Sequence, residues 1–329
     1  MPESTATAQP LMKQADTAGL AEAARLLCEG KLVAFPTETV YGLGGNALDD
    51  KAVAAIFACK GRPQFNPLIV HVDHMQRLHG HVVWNDTAKL LAAHFWPGAL
   101  TLVVERSMDS ALSYLVSAGL STVAVRIPAH TVAQALLSQC GIPVAAPSAN
   151  ASGMLSPTTP LHVAESLGSK VDLILMGGKT TVGVESTVVD TTTTPPRLLR
   201  HGGLPYEKIV GILPDLIDMT AQTADEANPG ASPGMLLSHY APRLPLRMNA
   251  TQVEASEALL AFGPDHFIRG GYTRLNLSKE GDLNEAAANL FAMLHTLDKS
   301  GAASIAVCPI PETGLGMAIN DRLRRATIR

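Results

Sequence analysis

Short apolar runs alternate with amphipathic stretches through the first two hundred residues, and this alternation restricts the possible folds more than any other feature. Leu20, Ala24 and Leu27 share one helical face within residues 17–29, Gly30 supplies a stop, and residues 32–35 follow as a buried strand. The handover recurs. A helix is expected near 50–59 and another near 87–95, capped by Asp86, with further helical segments near 130–139 and 160–167. Strands are expected at 68–72, 100–104, 121–127, 143–146, 171–175 and 186–190. One-sided helices and short strands must bury their apolar sides against each other, so the pattern predicts a layered α/β domain with a twisted, mixed sheet.

At 329 residues the chain is longer than one core usually organises, which predicts two domains. Around 213–245 the text changes to "ADEANPGASPGMLLSHYAPRLPL", where four prolines break every periodic pattern. The expected division is a first domain over 1–212 with a loose start at 1–16, a linker over 213–245, and a second domain over 246–329. In the last, "EALLAFG" and "SIAVC" read as strands, and Ala287, Leu290, Phe291, Leu294 and Leu297 share a helical face before Gly301. A smaller, Rossmann-like α/β unit is expected there.

Hydrophobic residues make up 47% and charged residues 16%, a globular composition that excludes a disordered chain. The net charge of −4 argues against a wholly basic nucleic-acid binder, although "RLRRATIR" at the C-terminus is locally basic. Cys28, Cys59, Cys140 and Cys308 lie far apart with no CxxC pair, which suits reduced thiols in a cytoplasmic protein rather than a disulfide scaffold or zinc finger. No window approaches the roughly 18 uninterrupted apolar residues of a membrane span, so no membrane partner is expected.

Several stretches could carry chemistry. In "FPTETVYGLGGNALD", Pro36 cannot donate to a continuing ladder, so the strand is expected to stop there and hand over to a loop. Gly42, Gly44 and Gly45 would let a ligand approach its backbone, and Thr37 and Thr39 supply hydroxyls; an ordinary strand-to-helix turn fits the same residues. Lys60 and Arg62, either side of Gly61, could grip a phosphate from two directions or merely complement the end of a helix. "APSANASG" offers Ser148 and Asn150, and "GVESTVVD" and "RLLRHGG" offer Ser186 and Arg200, all at strand ends, where open α/β sheets place ligands. "GGKTT" at 177–181 resembles the end of a P-loop, but Leu173 stands where its first glycine should be. His71, His74, His79 and His81 match no metal-ligand spacing; His71 is expected as a neutral hydrogen-bonding imidazole. There is no G-x-S-x-G elbow and no evident covalent nucleophile, which points to catalysis by positioning and charge stabilisation.

In order along the chain, "FPTETVYGLGGNALD", "KGRPQFNPLIVHV", "STVAVRIP", "APSANASG", "GVESTVVD" and "RHGG" resemble the threonylcarbamoyl-adenylate synthase family, the Sua5/YrdC group. "SPGMLLSHYAP" and "GLGMAINDRLRRA" resemble the linker and extra C-terminal domain of its longer, Sua5-type members. The resemblance implies a YrdC-like catalytic domain. It also implies a reaction of L-threonine, bicarbonate or CO2, and ATP with Mg2+, giving threonylcarbamoyl-adenylate and pyrophosphate. The product would pass to a downstream threonylcarbamoyl transferase that modifies adenosine 37 of tRNA, with weak tRNA contact by this chain allowed. By the same resemblance Thr39, His71, Arg126, Ala146 and Ser186 would hold threonine, with Thr37 beside them. Lys60, Arg62, Asn66, Thr122, Ser148, Asn150, Ser156, Arg200 and Tyr240 would hold ATP, Lys60 and Arg62 acting in catalysis, and the linker would close as a lid. The alternatives are a noncatalytic RNA- or ribosome-associated module and the related carbamoyl-transfer enzymes of hydrogenase maturation, whose zinc-finger cysteines this chain lacks.

Overall fold

Alternate residues of the strand Val33–Pro36 go to opposite faces of a sheet, and both faces are covered. Val33 and Phe35 join a core with Ala23 and Leu27 of helix Thr17–Cys28 and Leu136 of helix Thr131–Cys140. Ala34 joins a larger core with Ile56 of helix Asp50–Lys60 and Leu91 of helix Asp86–Phe95. The computed structural model describes residues 10–62, 66–221, 240–264, 268 and 270–328.

The first sheet has 12 strands. From one edge they run Met12–Gln14, Leu173–Met176, Val33–Pro36, Tyr41–Asn46, Val144–Ala145, Ile69–His71, Thr122–Arg126, Leu100–Arg106, Thr187–Asp190, Arg197–Arg200 and Ile217–Asp218. Val82–Val83 pairs additionally with Leu100–Arg106. Parallel and antiparallel pairs mix, as expected from the alternation. The second sheet orders Leu246–Arg247, Ser304–Val307, Glu257–Ala261 and Thr273–Asn276, all parallel. Helices Leu283–Asp298 and Leu315–Thr327 pack with it. The second of these helices has no counterpart among the expected elements.

The glycine-rich stretch differs from its expected form. Tyr41–Asn46 is a strand that pairs antiparallel with Val33–Pro36, Pro36 facing Tyr41 in register. Pro36 therefore ends no pairing; it sits at the last rung before the turn. The glycines serve close packing within the sheet rather than a loop. A Cβ on Gly44 would lie 2.9 Å from Phe35 Cε1 and 3.0 Å from Val144 Cγ1. Three smaller differences also have local causes. Met12–Gln14 is held as an edge strand against Leu173–Met176, so only residues 1–9 of the supposedly loose start lie outside the described residues. Asn85, not Asp86, caps its helix, its Oδ1 accepting from Ala88 N at 2.8 Å. Leu213 and Leu216 are buried in the first core, and Ile217–Asp218 extends the first sheet beyond the expected boundary at 212. The rest of the expected lid, 222–239, lies outside the described residues.

The two sheets are joined by shared burial. Val40, Leu155 and Val184, which come from the first 212 residues, lie in one apolar cluster with Tyr240, Leu290, Phe291 and Leu294. Gly183 has φ +79°, and a Cβ there would come within 2.3 Å of Ala287 O and 2.5 Å of Ala288 Cα on the helix Leu283–Asp298. Gly183→Ala therefore combines backbone strain with a clash that the helix cannot yield without moving. It should lower the stability of the full chain by about 1–3 kcal/mol in urea unfolding; an unchanged midpoint and slope would show that the contact tolerates a methyl group.

Candidate active site

Side chains from seven segments meet in one cleft. The turn after Pro36 brings Thr37, Thr39 and Val40; the end of helix Asp50–Lys60 brings Arg62; and the strands Ile69–His71 and Thr122–Arg126 bring His71 and Arg126 side by side in parallel register. Ala146, Pro147 and Ser148 follow the strand Val144–Ala145, Glu185 and Ser186 precede Thr187–Asp190, and Arg200 ends Arg197–Arg200. Tyr240 closes the lining. The free volume is about 50 Å³ for water-sized contents and about 520 Å³ when all atom-free space out to the open mouth is counted.

One wall is built on Arg126. Its Nη2 donates to Glu38 Oε1 at 2.6 Å, its Nη1 to Thr39 Oγ1 at 2.9 Å and its Nε to the Gly98 carbonyl at 3.1 Å. Glu38 also accepts from Ala129 N at 3.1 Å, and Thr37 Oγ1 donates to the Val40 carbonyl at 2.6 Å, so the turn is locked from both sides. His71 Nδ1 lies 3.1 Å from the Ile69 carbonyl. A carbonyl only accepts, so Nδ1 carries the proton and Nε2 is left as an acceptor. Burial, with Arg126 nearby, lowers His71 from 6.5 to about 3, so the imidazole is neutral at ordinary pH.

The facing wall holds phosphate-sized donors. Arg62 donates from Nε to the Asn66 carbonyl at 3.1 Å and from Nη2 to the Pro67 carbonyl at 2.9 Å. Arg200 donates from Nε to the Ser186 carbonyl at 3.0 Å and from Nη2 to Ser186 Oγ at 3.1 Å, and Ser186 Oγ shares a hydrogen bond with Thr101 Oγ1 at 2.7 Å. Burial pushes Arg62 down to about 9, with Arg200 acting in the same direction. Burial lowers Arg200 also. Two buried cations that disfavour each other's charge mark a place where an anion would be stabilised.

Not every expected residue lines the cleft. Lys60 is buried and spans from its helix to the carbonyls of Ser148 and Asn150, so its ammonium shapes that loop from behind. Burial, with Arg62 beside it, lowers it well below the ordinary lysine value. Neither cation simply complements the helix end, where Gly61 forms a left-handed cap. Asn66 and Asn150 are buried, and Asn66 Nδ2 and Asn150 Oδ1 each lack a hydrogen-bond partner among the described residues. Ser156 is buried and donates to Glu185 Oε1. Thr122 lies at the opposite end of its strand, across from Glu105 and roughly 13 Å from Arg126 at the usual rise per residue, and it does not line the cleft. Lys179 of the P-loop look-alike reaches Asn289 instead, at 2.8 Å. Among the described residues no group of three His, Cys, Asp or Glu side chains could hold a metal.

Three charged residues were not foreseen: Glu38, Glu185 and Arg322. Arg322 comes from the helix Leu315–Thr327, and its Nε donates to Glu185 Oε2 at 2.9 Å. Glu38 and Glu185 sit inside stretches singled out for their hydroxyls and glycines. An acidic residue embedded among small and apolar neighbours was the available signal.

The Sua5, YciO and YrdC family model, described as telomere recombination, matches residues 25–202, and that of the threonylcarbamoyl-AMP synthase C-terminal domain matches 205–327. The chain belongs to the Sua5/YciO/YrdC family. Its Sua5-type relatives include the threonylcarbamoyl-AMP synthase of Pyrococcus abyssi, 41% identical over 331 residues and covering 93% of each chain. That of Bacillus subtilis is 40% identical over 326 residues, covering 93% of this chain and 92% of the relative. A crystal structure of P. abyssi Sua5 complexed with L-threonine superposes with a TM-score of 0.86 at 38% identity, covering 97% of both chains. Membership makes this Sua5-type chain a nucleotidyltransferase-type enzyme, which leaves the noncatalytic alternative without support. No helix among the described residues is long and apolar enough to cross a membrane.

The His71 shift has a pH consequence. Its folded value, about 3, lies below the ordinary 6.5, so between these limits the unfolded chain takes up a proton that the folded chain refuses. Its contribution to stability is complete above about 6.5 and is lost as pH falls towards about 3. His71→Asn should flatten the loss of urea resistance across that window; equal slopes in the two proteins would show that His71 is not its source.

Proposed function

We propose that the cleft seats L-threonine against the α-phosphate of ATP and makes threonylcarbamoyl-adenylate, for threonylcarbamoylation of tRNA adenosine by a downstream transferase. The observation that carries this reading is the pairing of two buried, mutually unfavourable cations, Arg62 and Arg200, with a facing wall of neutral and hydroxyl groups around His71 and Thr39. An amino acid suits the second wall. Arg126 faces the threonine carboxylate, while Thr39, the His71 Nε2 acceptor, Ser186 and the backbone at Ala146 meet its amine and hydroxyl. The nucleotide suits the first, with Arg62, Arg200 and Ser148 on its phosphates. The orphaned polar atoms of Asn66 and Asn150 serve the same ligand, Lys60 and Ser156 brace the wall, and Tyr240 covers it.

The chemistry follows from the placement. The threonine amine adds to CO2 and loses a proton, giving a carbamate. One carbamate oxygen then bonds to the α-phosphorus as the bond to the bridging oxygen breaks, and pyrophosphate leaves with that electron pair. A carbamate is a weak, short-lived nucleophile, so holding it in line matters most; such orientation lowers barriers by about 7–11 kcal/mol in favourable cases. Arg62 and Arg200 stabilise the charge that develops on the leaving group. Magnesium, when bound, would ride on the triphosphate oxygens and add to that neutralisation, because the cleft offers it no carboxylate cage.

Pyrophosphate release from ATP should require both threonine and bicarbonate. Release that ignores threonine would reject the reading. Arg62→Ala should cut kcat by about 10²–10³-fold, the usual effect of removing one preorganised charge-stabilising donor, with the unfolding midpoint little changed because its present partners are only two backbone carbonyls.

A further inference from the structure

A carboxylate stands in the wall of a cleft read as a phosphate site. Glu185 lines it beside Ser186 and Arg200, and an ionised carboxylate there would oppose any polyphosphate. What faces its other oxygen is the second domain. Arg322, 1% exposed, projects from helix Leu315–Thr327 and donates from Nε to Glu185 Oε2 at 2.9 Å and from Nη1 to the His201 carbonyl at 2.7 Å. Nη1 also reaches Asp321 Oδ2 at 2.7 Å, and the guanidinium carbon stands 5.2 Å from the centroid of the Tyr240 ring, itself part of the cleft lining. Arg322 Nη2 is buried without a hydrogen-bond partner among the described residues.

The packing around this contact points the same way. Val40, Leu155 and Val184 are each buried in the second domain's cluster, and each immediately adjoins a cleft or wall residue: Thr39, Ser156 and Glu185. Ser156 Oγ and Arg322 Nε bind the two oxygens of one carboxylate from opposite domains. The second domain thus fixes three segments of the first domain's cleft and supplies the counter-charge to its acidic group.

We propose that Arg322 is a positioning residue: by neutralising and orienting Glu185, it lets the first domain's cleft accept the phosphates of its nucleotide. The inference rests on reading the cleft as an ATP site. A buried ion pair broken on one side leaves an uncompensated charge, whereas removal of both partners does not. Asp321 keeps Arg325, whose Nε is 3.0 Å from its Oδ1, so loss of Arg322 strands only Glu185.

The test uses the full chain, with binding of inorganic pyrophosphate and of ATP followed by calorimetry and threonine-dependent turnover measured alongside. Arg322→Met should weaken pyrophosphate and ATP binding at least tenfold and raise KM for ATP more than it lowers kcat. Arg322→Met combined with Glu185→Gln should recover most of that affinity, and Arg322→Lys should fall between. A purely structural role predicts no such recovery. If Arg322→Met does not fold, Glu185→Gln alone decides: it should bind pyrophosphate at least as tightly as wild type, and a tenfold loss would overturn the proposal. So would a double variant no better than Arg322→Met. Wild type that binds neither ATP nor pyrophosphate would show that the cleft reading itself had failed, and the role of Arg322 would fall with it.

Discussion

Crowded positive charge in a place with little water is the constraint on which the rest of this structure depends. Arg62, Arg126 and Arg200 line one cleft, and each is at most 7% exposed. A guanidinium so placed is tolerated only where carbonyls and carboxylates replace its hydration, and each of the three has a different arrangement of them. Arg126 has Glu38, a threonine hydroxyl and a carbonyl; Arg62 has two carbonyls; Arg200 has both the carbonyl and the hydroxyl of Ser186. The difference separates the walls. Where a carboxylate already compensates the cation, the wall can meet a ligand of modest charge; where only dipoles do so, it favours a strongly anionic one.

The sheet makes this arrangement possible. Its strands are short and mixed in direction, so strand ends, turns and helix ends come together rather than lying along opposite edges. His71 and Arg126 are neighbours because their strands run parallel in register, while Ser186 and Arg200 meet across an antiparallel pair. Close approach of the backbone around Gly44 and Gly183 sets how tightly the surrounding layers and the second domain can pack. The second domain is consequently part of the cleft's construction, since its apolar cluster takes in residues that adjoin the wall.

Much of this was legible in the sequence, and the failures share a cause. Periodicity located the helices at 17–28, 50–60 and 131–140 to within a residue or two, because each has a one-sided apolar face and a recognisable stop. The same reasoning misread Tyr41–Asn46, where three glycines and a nearby proline are local turn signals overridden by the packing of Phe35 and Val144 against a bare backbone. Glu38 and Glu185 were passed over for a related reason. A carboxylate in a motif reads as a surface charge until the arginine that accompanies it is known, and their partners Arg126 and Arg322 lie 88 and 137 residues away.

The sequence by itself determined the α/β class, the division of apolar faces and the set of polar side chains that end up at strand termini, because hydrophobic period and capping act over a few residues. Tertiary structure alone decided which of those side chains face a common space. It put Arg62 in the lining and Lys60 behind it, kept Thr122 at the far end of its strand, and brought Arg322 across from another domain. Such pairings depend on strand register and domain docking, whose free energy comes from contacts between distant segments and leaves no mark in the spacing of residues along the chain.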